Sequence, residues 1–165
     1  MDTFPLFSMT DAPIRSQERK ADLHALEAGG YVEFEGRVRN HSQGRGVKRL
    51  YYEAYQELAQ SEGEAIVQDA LEQFPIVDAA CVHRVGAIGL GEVAVWIGVV
   101  SAHRKDAFRA CSYCIDEIKA RLPIWKKETY ADGTSEWVNC GCGHESSDPY
   151  AEAAEHQTTS RASAT

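Results

Sequence analysis

The chain has 165 residues, 44% hydrophobic and 25% charged, the make-up of an ordinary globular protein. Its 17 Lys and Arg face 25 Asp and Glu, a formal net charge of −8. The length suffices for one domain with a real core, and the acidic balance argues against non-specific binding of nucleic acid or anionic membrane, which both need basic surface.

Residues 1–14 read as an extended lead-in. Met1–Pro13 carries Asp2 and Asp11, no basic start and no apolar run, so it does not resemble an export signal. Ser16–Ala28 is predicted as a short helix, with Leu23 and Leu26 apolar and Gly29-Gly30 ending it. Tyr31–Arg39 alternates, with Val32, Phe34 and Val38 opposed to Glu33, Glu35, Arg37 and Arg39, the pattern of a half-buried strand. Asn40–Gly46 reads as a polar loop and Val47–Tyr55 as a tyrosine-rich strand.

Glu57–Phe74 has a helical pattern in Leu58, Ala65, Ile66, Ala70 and Leu71, closed by Pro75. Val77–Val85 and Val93–Ser101 are two further strands, with Gly86–Gly91 (GAIGLG) as the turn between them. That glycine run opens a strand rather than a helix, so it is not a phosphate loop. The longest apolar stretch, Val93–Val100, is far too short to span a bilayer. Ser101 is placed as the N-cap of a helix reaching Leu122, with an apolar stripe of Phe108, Cys111, Ile115, Ile118 and Leu122. Two short strands near Ile124–Tyr130 and Glu136–Asn139 flank an Asp132-Gly133 turn. From residue 141 the chain is small and polar and reads as a disordered tail. The order of elements implies α+β: one domain over residues 15–140, with helices against an antiparallel or mixed sheet.

The charge is segregated. Residues 36–49 hold Arg37, Arg39, Arg45, Lys48 and Arg49 and no acid, a charge of +5. Residues 101–127 hold seven Lys and Arg against three acids, +4, which leaves −17 for the rest. Solvated surface is the plain reading of such runs. An anion site is the sharper one. It is favoured for Arg37 and Arg39, before a loop, and for His103 and Arg104, in the first turn of a helix. Free backbone N–H groups there attract an anion, and the helix dipole disfavours a cation unless an anion holds it. Lys119, Lys126 and Lys127 bracket Pro123-Ile124-Trp125. A lysine beside apolar groups can be desolvated and act in proton transfer or as a nucleophile. The alternative has Trp125 in the core with the lysines passing over it.

Three stretches carry a resemblance to a known family: FEGRVRNHSQGRGVKRLYYEAY (34–55), HRVGAIGLGEVAVWIGVVSAHRKDAF (83–108) and IDEIKARLPIWKKETYADGTSEWV (115–138). In order and spacing they resemble the large, catalytic subunit of molybdopterin synthase, over roughly residues 14–140. The resemblance implies an α/β hammerhead fold with an added antiparallel sheet. It implies a homodimer within a heterotetramer, whose small subunit is a ubiquitin-like sulfur carrier ending in a Gly-Gly thiocarboxylate. The implied substrate is cyclic pyranopterin monophosphate, which receives two sulfurs to become the molybdopterin dithiolene. Carried over residue by residue, substrate binding falls on Arg37, Val38, Arg39, His103, Arg104, Lys119, Lys126, Lys127 and Glu128, and catalysis on Lys119 and Lys126. No resident cofactor or metal is implied.

The charge map agrees with a phosphate-bearing substrate. His103 and Lys119 share one helix 16 residues apart, or ~24 Å. One pterin cannot reach both, so the site is expected to be composite: Arg39, Lys119 and Lys126 from one protomer, His103 and Arg104 from the other. Five cysteines without an export signal suggest reduced thiols and a cytoplasmic location. The rival readings are a non-catalytic docking module for the carrier, or a zinc or thiol redox protein using Cys111, Cys114, Cys140 and Cys142. Cys140-Gly-Cys142-Gly departs from the family pattern, which commonly has a basic residue after the last strand. His83-Arg84, at a strand end, reads as structural or interfacial.

Overall fold

A computed structural model describes residues 5–139. The elements are β1 (Phe7–Thr10), α1 (Ser16–Asp22), β2 (Gly30–Arg37), β3 (His41–Ser42), β4 (Arg45–Ala54), α2 (Gln56–Gln73), β5 (Asp78–Arg84), β6 (Gly86–Gly89), β7 (Val93–Ser101), α3 (Arg104–Arg121), β8 (Ile124–Tyr130) and β9 (Ser135–Asn139). They form two sheets and three helices, the α+β class expected. None of these helices is long and apolar enough to cross a membrane.

The first sheet has the order β1-β5-β7-β2. Its middle strands are buried on both faces, so β5 and β7 read as near-continuous apolar runs. The lead-in contributes its edge, with Phe7–Thr10 running parallel to Cys81–Arg84. One face packs Phe7, Cys81, Val95, Ile97 and Val99 under α2 and α3. The other buries Trp96, Ala80, Val82 and Val100 beneath Leu23. The expected first helix is half as long, ending at Asp22; Leu23 closes over the sheet and Leu26 is exposed.

α2 and α3 each bury one stripe at helical spacing. On α2 it is Ala59, Gly63, Ile66, Val67 and Ala70, so Leu58 faces solvent instead of the core. Gly63 is required there, because a Cβ would stand 2.3 Å from the Phe7 ring. On α3 the stripe is Ala107, Ala110, Cys111, Cys114 and Ile118, which turns Phe108 outward against expectation. His103, not Ser101, sits at the α3 N-cap, and no side chain caps it. Ser101 instead ties the preceding turn: its Oγ accepts the His103 N–H at 3.3 Å and donates to the Pro75 carbonyl at 3.2 Å.

The second sheet runs β3-β4-β8-β9, with β6 also on β4. Two of its strands were expected as loops. His41–Ser42 pairs with Arg45–Gly46 through the turn at Gln43-Gly44. Gly86–Gly89 pairs with Arg49–Tyr52. Gly86 and Gly91 hold positive φ values of 80° and 76° and make the corners on either side of β6. Backbone pairing, not side-chain pattern, makes these short strands.

Candidate functional site

A cleft of about 250 Å³ opens where the two sheets meet the C-terminal half of α3. The first sheet supplies Phe34, Gly36, Val95 and His83. The second supplies Leu50, Tyr52, Ile124, Lys126 and Glu128, and α3 supplies Ile118 and Lys119. Arg37 and Arg39, just beyond a register shift at Gly36/Arg37, complete a cationic rim. At Gly36 a Cβ would lie 2.6 Å from Val95 Cγ1, so only glycine lets the strand pass there.

The lining of β8 follows from strand alternation. Ile124, Lys126, Glu128 and Tyr130 turn inward, while Trp125 is 47% exposed on the opposite face. Trp125 is therefore not core. Lys127 shares its face, with Nζ 5.7 Å from the Trp137 ring centre, and it does not line the cleft.

The cations differ in their partners. Lys126 Nζ lies 3.0 Å from Glu128 Oε1, and the Tyr130 hydroxyl donates to Glu128 Oε2 at 3.0 Å. Burial pushes the Glu128 carboxyl up, but the Lys126 ammonium and the Tyr130 and Ser42 hydroxyls outweigh it and leave the group below its usual value. Arg37 is tied to Glu35 through Nε at 2.9 Å and through Nη2, and Glu35 also accepts from the Ser16 hydroxyl. Arg39 and Lys119 have no ion pair among the described residues.

Among the expected site residues, Arg37, Arg39, Lys119, Lys126 and Glu128 come together. Val38 lies between two of them but is buried in a small core with Val47, Leu50, Ile88 and Tyr130. Its N–H donates to the Glu92 carbonyl at 3.1 Å and its carbonyl accepts from Gly91 at 2.8 Å, so it fixes its neighbours rather than facing the cleft. His103 and Arg104 are exposed at the other end of α3 and do not line the cleft.

The sequence reading missed His83, Tyr52 and Phe34. His83 is 7% exposed; its Nδ1 is 2.7 Å from the Arg84 carbonyl, and its ring meets Tyr52 edge-on at 5.2 Å. Burial lowers its pKa to about 4, against the opposing effect of the Arg84 carbonyl. The signal was the period-2 pattern of β5, which puts His83 on the helix-facing side with Ala79 and Cys81.

The thiol reading loses its inner pair. Cys111 and Cys114 are buried in the main core beside Cys81. Burial raises Cys111 to about 11 and Cys114 to about 12, which leaves neither a reactive thiolate. No group of three or more His, Cys, Asp or Glu among the described residues could hold a metal ion. Cys140, Cys142 and the tail lie outside those residues.

Comparison with known proteins decides the family. The model of the MoaE protein family matches residues 9–121, from β1 through α3 and short of β8 and β9. The chain belongs to the MoaE family. It is 49% identical over 111 residues to the molybdopterin synthase catalytic subunit of Thermoplasma volcanium, a match covering 67% of this chain and 81% of that one. The molybdopterin synthase crystal structure from Staphylococcus aureus superposes with a TM-score of 0.77 at 36% identity, covering 82% of this chain and 98% of that one. The MoaE fold is also seen in a protein–protein complex of subunits 1 and 2 of molybdopterin-converting factor from Helicobacter pylori, with a TM-score of 0.65 at 18% identity, covering 86% and 92%.

Proposed function

We propose that this MoaE-family chain works in the cytoplasm as the catalytic subunit of molybdopterin synthase. It would transfer sulfur from a thiocarboxylated, ubiquitin-like small subunit to cyclic pyranopterin monophosphate, forming the molybdopterin dithiolene. The observation that carries this reading is the convergence of Arg39, Lys119 and Lys126 on one cleft, two of them without an anionic partner. A cationic pocket with unsatisfied donors suits a phosphate ester, which takes several N–H bonds at once.

In this reading Arg39 and Arg37 hold the substrate's anionic end. Lys119 and Lys126 stabilise negative charge and move protons as sulfur replaces oxygen at two carbons. Glu128 holds the Lys126 ammonium at 3.0 Å and keeps it aimed at the cleft. The sulfur arrives on the carrier, so the buried cysteines of this chain take no part.

His103 and Arg104 belong to the same chemistry through a second copy of the chain. They lie ~24 Å along α3 from Lys119, beyond the reach of one pterin. A homodimer would bring them over the neighbour's cleft, with one carrier docked per protomer in a heterotetramer. The deciding experiment incubates the protein with cyclic pyranopterin monophosphate and proven thiocarboxylated carrier. Dithiolene product is expected; its absence would leave only a docking role.

A further inference from the structure

We propose that His83 is a substrate-reading residue whose bare Nε2 accepts a hydrogen bond from a ring N–H of the bound pterin. The inference rests on the pterin reading above and assigns the uncharged half of that ligand. His83 lies on the cleft wall that carries Val95, facing Tyr52, which pairs directly with Lys126 across β4 and β8.

The tautomer is fixed by its neighbour. A carbonyl only accepts, so the contact of Nδ1 with the Arg84 oxygen puts the ring proton on Nδ1. Nε2 then keeps its lone pair, and it has no partner among the described residues. The surroundings keep the ring neutral. Arg37, Arg39, Lys119 and Lys126 line the same cleft, Arg84 follows in the strand, and the facing acid, Glu128, is taken by Lys126. The depressed pKa of about 4 agrees.

Glu128 serves Lys126, Tyr130 and Ser42. His41, whose Nδ1 is bound to Asn40 at 2.9 Å, also keeps a bare Nε2, but its side chain is exposed, where water satisfies it. A pterin carries N–H donors on its rings and amino group, and those meeting an apolar wall need an acceptor there. His83 is the buried ring of the cleft with one to give.

The test separates the two ring nitrogens. His83→Asn keeps a donor for the Arg84 carbonyl but nothing at Nε2. His83→Gln reaches the Nε2 position and gives up the Arg84 bond. His83→Asn is expected to raise KM for the cyclic pterin monophosphate about tenfold with kcat little changed, the worth of one hydrogen bond, and His83→Gln to recover most of that loss. Equal losses in both, the reverse order, or no loss in either would overturn the proposal. A second measurement needs no variant: the ¹⁵N signal of His83 Nε2 in the wild-type protein, with and without the cyclic pterin monophosphate and with no carrier. A shift from a bare toward a hydrogen-bonded nitrogen is expected, and an unmoved signal in an enzyme that turns over would overturn it. Wild-type protein that makes no dithiolene defeats the function reading instead, before any variant is made.

Discussion

The two ends of α3 carry cations for opposite reasons. At the C-terminal end the helix dipole welcomes them, and Arg121 is held by Glu62 at 3.1 Å, Asp69 at 3.0 Å and Glu117 at 3.4 Å. Lys119, one half-turn earlier, escapes that network and lines the cleft. At the N-terminal end His103 and Arg104 stand against the dipole, exposed, uncapped and without an ion pair among the described residues. Cations that their own chain does not stabilise point to a ligand. In the proposed function that ligand joins the two sets, a helix length apart, across two chains.

The sharpest break of this comparison is Lys119→Ala. It should lower kcat about 10²–10⁴-fold, as loss of a proton-transfer group does, with little change in the melting temperature. A Lys119→Ala chain that melts well below the wild type, or turns over normally, would return that lysine to the surface.

Arg104→Ala comes next, at roughly 10–100-fold in kcat/KM for loss of a charge-assisted contact. Mixing the two impaired chains tests the geometry. If each site draws on both copies, random mixing gives half heterodimers with one intact site each, or about a quarter of wild-type activity. Mixed protein no better than either variant would sink the shared site.

These contrasts explain what could be read early. The long, strongly periodic elements α2, α3, β5 and β7 are legible because burial imposes their pattern. β3 and β6 are not, because four residues or fewer can be strand only by pairing with β4. Arg39, Lys119 and Lys126 announce themselves as charge in the sequence. His83 does not: its place depends on Tyr52 and β8, far off in the chain, and an isolated histidine in a strand looks like packing.

Glu128→Gln sharpens the difference between the two cleft lysines proposed to be catalytic, one paired and one not. Removing the acid leaves Lys126 half-buried without its partner, which should cost about 2 kcal/mol at neutral pH. The Glu128 carboxyl is lowered in the fold, so its contribution is fully present above the unfolded carboxylate value near ~4.3 and fades as pH falls through the folded value. Urea titrations of both proteins should therefore differ at pH 7 and converge as pH falls through the lowered folded value of Glu128. A gap that persists in acid would show that shape, not charge, is what Glu128 contributes.

The smallest effect is expected at Arg121. Its guanidinium joins α3 to α2 through three carboxylates, but the side chain is 32% exposed and water screens the pairs. Arg121→Ala should cost about 1 kcal/mol in urea denaturation, the upper range for such pairs. The variant should keep kcat, because the buried Ile118 and Leu122 already hold that end of α3 against the core. If kcat falls with stability unchanged, the network is orienting Lys119 rather than fastening the helices. The two ends of α3 would then differ in how their cations are aimed, and not in whether they are paired.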